Sequence, residues 1–195
     1  MMKPNILPKN DGRTIVIGPC RLSYTHLFEK WAGPDGDESR AKYQTGVLIP
    51  SSQTETLDAL RKCIKAAYNQ AITKYWGGKR PAINEGSDVY PLRDGDNKDD
   101  ENYNGHFYLN AKTGKKPSVT DKHGDTIMDE DEIYSGVWAY VCVTFYGYKQ
   151  NGKCGIATAL EAVRKCKDDE QFGGGVSQTE AFGNIPFDDE DDEDL

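Results

Sequence analysis

Residues 137–148 have the sequence VWAYVCVTFYGY, which alternates between small or aliphatic side chains and aromatic or polar ones. Because successive side chains of a β-strand point to opposite faces, this alternation predicts a strand with two different faces. One face would carry apolar side chains suited to a core: Val137, Ala139, Val141, Val143 and Phe145. The other would carry Trp138, Tyr140, Cys142, Thr144, Tyr146 and Tyr148. We therefore predict a strand with a core on one side only.

The segments around this strand predict a mainly β protein with one long helix. Asn151-Gly152 is a hairpin dipeptide, so residues 153–166 should return beside residues 137–148, although their apolar spacing also fits a helix. Further strands are predicted at 14–17, 21–28, 42–49, 106–112 and 118–120, with Gly18-Pro19 ending the first. Helical spacing of apolar residues predicts a helix over 52–76. The polar stretch 77–105 is long for a loop, and such loops are usually functional or mobile.

Charge is distributed unevenly along the chain, which has 24 basic and 32 acidic residues and a net charge of −8. Residues 168–195 hold eleven of the acids and no Lys or Arg, so residues 1–167 have a net charge of +3. The chain ends in seven acids and a leucine: Asp188, Asp189, Glu190, Asp191, Asp192, Glu193, Asp194 and Leu195. Blocks of like charge stay disordered and often act as interaction tails. We expect the tail to compete for whatever anion the basic part binds.

Several classes of protein are disfavoured by composition. No apolar run of 18 residues occurs, so no membrane span is expected, and the N-terminus lacks the apolar core of a signal peptide. The five cysteines form no Cys-x-x-Cys pair, which favours reduced thiols in the cytoplasm over a disulfide framework or a zinc site. We expect no metal and no cofactor.

Aromatic and basic residues on the predicted strands suggest a surface for single-stranded nucleic acid. Bases stack on aromatic rings with about 1–3 kcal/mol each, while cations follow the phosphates. The candidate binding residues are Trp138, Tyr140, Tyr146, Tyr148 and Tyr108, with Lys112, Lys115, Lys116, Lys153, Arg164 and Lys165. The opposing interpretation is a second core face covered by the helix 52–76, and the pattern alone leaves both open.

Several segments, in chain order, resemble the phage single-stranded DNA-binding proteins that have an oligonucleotide-binding (OB) fold and an acidic tail. The segments are 21–28 (RLSYTHLF), 46–50 (GVLIP), 75–79 (YWGGK), 91–96 (PLRDGD), 105–111 (GHFYLNA) and 135–140 (SGVWAY), within a resemblance over roughly residues 14–172. The resemblance implies an OB-like five-stranded barrel over residues 1–172, with the helix between strands three and four or nearby, followed by a flexible acidic tail, 173–195.

The resemblance also implies a function. Such a protein would coat single-stranded DNA, largely without sequence preference, during phage replication or recombination in the cytoplasm of the bacterial host. It would not be an enzyme, and its tail would dock a polymerase, helicase or recombinase. The docking residues would be Phe182, Ile185 and Phe187 with the acids 188–194 and Leu195. Many such tails end in an aromatic residue, whereas this chain ends in Leu195.

Other interpretations remain open at this point. One is an acidic interaction protein, such as a DNA mimic, in which the tail is the active element. A second is a metal-dependent nuclease built from Asp94, Asp96 and the acids 129–132. A third is a protein that binds double-stranded as well as single-stranded DNA. A homo-oligomer is also possible, if an edge strand at 14–17 or 153–166 pairs between protomers.

Overall fold

The structure is a computed structural model, and it describes residues 3–173. Those residues contain eight strands and one α-helix: β1 (Asn5–Leu7), β2 (Thr14–Trp31), β3 (Lys42–Pro50), α1 (Thr54–Lys74), β4 (Arg93–Asp94), β5 (His106–Thr113), β6 (Ser118–Thr120), β7 (Trp138–Gln150) and β8 (Lys153–Lys167). The tail residues named above lie outside this range. No helix within residues 3–173 is long and apolar enough to cross a bilayer.

Five of the strands close into a barrel in the order β5-β3-β2-β7-β8. The neighbours in that order pair antiparallel, and a short parallel pairing of β5 with β8, at Ala111–Thr158 and Lys112–Ala159, closes the ring. Closure leaves the five strands without a free edge. The short strands β1, β4 and β6 add to β2, β5 and β8 respectively. The predicted mainly β, five-stranded barrel with one helix is confirmed.

The core lies inside the barrel and beneath α1. The face of β7 predicted to be apolar is fully buried, with Val141, Val143 and Phe145 at 0% exposure. Helix α1 approaches β7 so closely at Gly147 that a Cβ there would overlap the Cβ of Ala71. The Trp76 indole Nε1 donates a hydrogen bond of 2.9 Å to the backbone oxygen of Tyr148 just beyond this contact. The glycine therefore fixes the distance between the helix and the barrel.

Two predicted strands are a single strand in the structure. Segments 14–17 and 21–28 form one strand, β2, that continues through Gly18-Pro19, so the prediction of a stop there is wrong. The pairing with β7 shifts register between Ile17 and Cys20. A bulge of this kind accommodates a proline, which has no N–H to donate. As a result, α1 follows the second barrel strand, between β3 and β5, rather than the third.

The two segments suggested as free edges both have neighbours on either side. Residues 14–17 of β2 lie between β1 and β7, and β8 pairs with β7 on one side and with β5 and β6 on the other. Pairing between protomers through these segments is therefore not supported. The prediction of a strand for residues 153–166, made against a competing helical spacing, is confirmed by β8.

The polar stretch 77–105 is tied to the barrel at several points. It contributes the two-residue strand β4 and buries the side chains of Leu92 and Tyr103. The backbone oxygen of Val89 accepts a 3.0 Å hydrogen bond from the N–H of Ile156 in β8. These contacts place residues 88–93 along the barrel surface beside β8 and β7.

Candidate nucleic-acid interface

The aromatic face of β7 is divided into two parts by residues 10–14. Thr144, in the middle of that face, is only 7% exposed, and its hydroxyl lies 2.8 Å from that of Thr14. Asn10 covers this pair by donating a 2.9 Å hydrogen bond from Nδ2 to the Thr14 hydroxyl. Tyr146 and Tyr148 lie on one side of this cover, while Trp138 and Tyr140 lie on the other. The aromatics predicted as one row therefore belong to two surfaces.

The first surface is a groove that crosses all five barrel strands. Three adjoining concavities form it, and each is lined by Lys112 of β5. Its lining residues include Tyr24, His26, Trp31, Arg40, Lys42, Gln44, Arg93, Asn110, Lys112, Tyr146 and Tyr148. Three of its aromatic side chains are open to solvent: Tyr24 is 56% exposed, Trp31 40% and Tyr146 38%. We call this surface the groove.

Tyr24 reaches the groove because β2 is distorted at this point. The register between β2 and β3 shifts between Ser23 and His26, and Tyr24 has a φ of 46°. A bulky residue in this left-handed region is uncommon, and bulges next to functional sites often redirect a side chain. The backbone N–H of Tyr24 donates a 2.8 Å hydrogen bond to the Ser135 hydroxyl, and its phenol donates at 3.0 Å to Asp100. The hydrogen bond to Asp100 raises the pKa of Tyr24, so its ring stays neutral at physiological pH.

Lys98 lies among three tyrosines beside the groove. Its ammonium lies 3.6 Å from the ring centroid of Tyr103, 4.7 Å from that of Tyr24 and 5.4 Å from that of Tyr108. Tyr103 is buried, and its hydroxyl meets the Ser23 hydroxyl at 2.5 Å, beside Gly46. Cation–π contacts of this kind attract electrostatically over about 6 Å. Lys98 therefore links the exposed ring of Tyr24 to the buried side chain of Tyr103.

A stacked pair forms the far end of the groove. The rings of His26 and Trp31 lie 5.4 Å apart and nearly parallel, with 10° between their planes. Burial lowers the pKa of His26 below its usual value of 6.5, so the imidazole is neutral at physiological pH. A neutral imidazole backing an exposed indole presents a flat apolar surface. Such a surface suits a nucleobase.

The cations in and beside the groove differ in whether they form an ion pair with an acidic side chain. Lys42 and Lys112 form no ion pair with any residue in 3–173. The predicted binding residue Lys153 pairs with Asp88 at 2.5 Å, and Arg40 pairs with Asp35 and Asp37. Solvent-exposed ion pairs contribute at most about 1 kcal/mol, so a phosphate can replace any of these three carboxylates at little cost.

The remaining predicted binding residues do not line the groove. Tyr108 packs edge-on against Tyr103 beside the groove, with 4.9 Å between ring centroids. Lys115 and Lys116 lie between β5 and β6, where the Lys116 ammonium is 5.7 Å from the Phe28 ring.

A second group lies away from the groove. Trp138 donates a 2.6 Å hydrogen bond to Asp169, whereas Tyr140, Arg164 and Lys165 line a separate cavity. Lys165 is paired there with Glu132 and Asp168, and its side chain is only 14% exposed.

The carboxylates of the nuclease hypothesis have local structural roles. Asp94 accepts a hydrogen bond from the N–H of Asp96, Asp96 from Gly105, and Asp129 from Asp131. Such contacts stabilise turns. Within residues 3–173, no three His, Cys, Asp or Glu side chains are grouped so that they could hold a metal ion.

Sequence reasoning missed part of the groove. Tyr24, His26 and Trp31 all come from β2, and Lys98 and Arg93 come from the polar stretch 77–105. The alternation of residues 21–28 does place Tyr24 and His26 on one face, which was the available signal. The bulge at Tyr24 and the packing of Lys98 depend on tertiary contacts that alternation does not encode.

A closed five-stranded barrel with one parallel pairing, and with aromatic and basic side chains across its strands, defines a protein of the OB-fold class. Residues 13–195 match the family model described as the ssDNA-binding protein of Enterobacter phage Enc34, and the chain belongs to that family.

One relative and two solved structures are similar to this chain. Putative protein p50 of Acyrthosiphon pisum secondary endosymbiont phage 1 is 32% identical over 185 residues, which cover 91% of this chain and 97% of the relative. The single-stranded DNA-binding protein of bacteriophage Enc34, solved in complex with ssDNA, is 26% identical, with a TM-score of 0.65 over 83% of this chain and 90% of that one. The single-stranded DNA-binding protein encoded by bacteriophage T7 has a TM-score of 0.56 over 85% of this chain and 97% of that one. At 17% identity, the T7 protein supports the fold alone.

Proposed function

We propose that this protein binds single-stranded DNA in the groove. The observation that carries the proposal is the arrangement of three exposed aromatic side chains, Tyr24, Trp31 and Tyr146, around the cation of Lys112, which pairs with no acid among residues 3–173. Rings supply stacking surfaces for successive bases, and Lys112, Lys42 and Arg93 supply charge for the phosphates between them. Membership of a phage ssDNA-binding family supports the same conclusion.

The chemistry of the groove favours single strands of any sequence. In a duplex the bases stack on one another, so their faces are not available to Tyr24, Trp31 or Tyr146. Every base has a π-face, and stacking on these rings therefore discriminates little between sequences. Phosphate contacts make the affinity depend on salt, with a slope of about −0.7 per neutralised phosphate for single strands.

The wider role that we propose is stoichiometric and needs no catalysis. The protein would coat single strands exposed during phage replication or recombination, in the cytoplasm of the bacterial host. The barrel, 1–172, would bind DNA, and the acidic segment 173–195 would compete for the groove when DNA is absent. Once displaced by DNA, that segment would dock replication proteins through Phe182, Ile185, Phe187 and the acids that follow. The charge difference between residues 1–167 and 168–195 supports this division of roles.

Fluorescence anisotropy of a labelled single-stranded oligonucleotide tests the proposal. We expect tight, salt-sensitive binding that unlabelled duplex does not displace at equal nucleotide concentration. Replacing Lys112, which lines all three parts of the groove, with Glu should weaken binding strongly. Replacing Lys65, an exposed lysine of α1, with Glu changes the net charge equally and is the matched control. Equal losses in the two variants, or full displacement by duplex, would contradict the proposal.

A further inference from the structure

A second concave surface lies away from the groove, on barrel strands β2, β7 and β8 and the added strand β6. It encloses about 520 Å³, a volume within the range of roughly 300–1,000 Å³ that is usual for small-molecule sites, and shares no lining residue with the groove. Tyr140, Cys142 and Ala162 form its apolar part, while Thr120, Lys122 and Arg164 supply polar groups. We call it the second surface.

The second surface combines the groups that recognise a nucleotide in a single strand. Tyr140 offers a half-buried ring, and Lys122 and Arg164 are exposed cations without an ion pair to any residue in 3–173. Burial raises the pKa of Cys142, so its thiol is neutral and apolar at physiological pH. Ring faces, hydroxyls and neighbouring cations are the groups that contact bases and phosphates in proteins that bind single strands.

A stretch of chain with four lysines joins the two surfaces. Residues 112–122 run beside β8, where Lys112 pairs with Ala159 and Thr120 pairs with Arg164. Those two positions are five residue steps apart in β8, which corresponds to about 17 Å of strand. Lysines occur along this stretch at 112, 115, 116 and 122, and its one acid, Asp121, accepts hydrogen bonds from the backbone N–H groups of His123 and Asp125. A bound strand that leaves the groove at Lys112 therefore passes near Lys115 and Lys116 before it reaches Lys122 at the second surface.

We propose that the second surface binds a further segment of the same DNA strand, after that strand has filled the groove. The inference rests on the proposed function, since it assumes that the groove holds single-stranded DNA. It predicts that the second surface contributes only when the oligonucleotide is long enough to reach it. The lysine stretch favours this occupant over a free mononucleotide, which would need no connection to the groove.

The test compares two oligonucleotide lengths in a double variant, Lys122→Glu with Arg164→Glu. One oligonucleotide of about 8 nucleotides and one of about 16 span the lower and upper parts of the range that a single OB fold covers, roughly 4–16. The DNA is kept in excess so that one protein binds each strand, and affinity is measured by calorimetry across a salt series. Lys62→Glu with Lys65→Glu, on the exposed side of α1, changes the net charge by the same amount and serves as control.

The expected result is specific to length. Losing two phosphate contacts should weaken binding of the long oligonucleotide by about tenfold near 0.2 M salt and reduce its salt slope by about 1.4. The double variant should bind the short oligonucleotide with the same affinity as the Lys62/Lys65 control. A Lys112→Glu variant should weaken both lengths, because the groove is used by each.

Three outcomes would overturn the inference. Equal affinity of wild type and double variant for the long oligonucleotide would show that the second surface makes no contact with DNA. An equal loss for both lengths would show that its charges act at long range or belong to the primary site. If wild type bound dTMP more tightly than the double variant and oligonucleotide length had no effect, the surface would be assigned to mononucleotides. If wild type binds neither oligonucleotide, the proposed function itself fails, which is a separate result.

Discussion

At the scale of single residues, Tyr24 is the position that bears most directly on DNA binding in the groove. It lies at a bulge with a positive φ, is more than half exposed, and is held from one side by Lys98 and Asp100. Strained backbone at a ligand-facing residue is typical of sites where the side chain must point in one direction. We therefore expect Tyr24 to be a dominant stacking residue.

Replacing Tyr24 with Ala should weaken single-strand binding by about 5- to 150-fold, because about 1–3 kcal/mol of stacking is lost. Tyr24→Phe is the matched control, since it keeps the ring and removes only the hydrogen bond to Asp100. Anisotropy titration of both variants against the same oligonucleotide measures the difference. Similar affinities for the Ala and Phe variants would show that the ring does not contact DNA.

Lys98 should act on binding through the position of Tyr24 and not through phosphate. Its ammonium is directed at three aromatic rings, so we expect Lys98→Met to lower the melting temperature and to weaken DNA binding several-fold. The salt dependence of binding separates the two roles. A positioning residue leaves the salt slope unchanged, whereas a lost phosphate contact reduces it by about 0.7. A reduced slope would therefore contradict the positioning role.

His26 should make stability and DNA affinity respond to pH in opposite directions. Burial lowers its pKa in the folded state below 6.5, so the folded state disfavours the charged form. Its contribution to stability is fully present above pH 6.5 and is lost as the pH falls from there towards the folded pKa. DNA phosphate favours the charged imidazole, so affinity should rise over the same interval. Urea unfolding and anisotropy at pH 7.5 and 5.5, compared with His26→Gln, measure both effects, and an unchanged pH dependence in that variant would exclude His26 as their source.

At the scale of elements, alternation predicted the strands well because barrel strands have one buried face. The core face of β7 and the hairpin partner β8 followed from residues 137–148 and from Asn151-Gly152. The register shifts could not be predicted from the sequence, because the bulges near Cys20, Tyr24 and Cys142 depend on how neighbouring strands curve. Those shifts decide which aromatics reach the groove. The candidate site was therefore only partly predictable, with Tyr146, Tyr148 and Lys112 identified and the contribution of β2 missed.

The close contact between α1 and β7 gives a prediction at this scale. Gly147→Ala places a methyl group in steric overlap with the Cβ of Ala71, and overpacking of this kind costs about 1–3 kcal/mol. Ala71→Gly alone should cost about 1 kcal/mol through lower helix propensity. In the double variant the clash is removed, so the two costs should not add. Denaturant unfolding of all four proteins completes the cycle, and strictly additive losses would show that the two residues are not in contact.

At the scale of the whole molecule, the closed barrel places charge and aromatic rings together without needing a large core. Strands β2 and β7 pair with each other, but the groove runs the other way round the barrel, from β2 through β3, β5 and β8 to β7, with Lys112 of β5 near its middle. The net charge of +3 over residues 1–167 is small. With so small a net charge, we expect the affinity for DNA to depend on the local contacts of the groove more than on the overall charge of these residues.

The acidic segment should lower the apparent affinity for DNA at low salt. In the proposed competition, residues 174–187 would tether the acids to the barrel at an effective concentration of about 1 mM, and even weak binding to the groove would then compete with DNA. A protein ending at Gly175 should therefore bind single strands more tightly than the full chain. The matched control keeps the chain length and replaces the acids 188–194 with Asn and Gln, which separates charge from chain volume. Both variants should gain affinity equally, and the gain should disappear at high salt because the interaction between the acids and the groove is screened. An unchanged affinity at low salt in either variant would contradict competition by the acids.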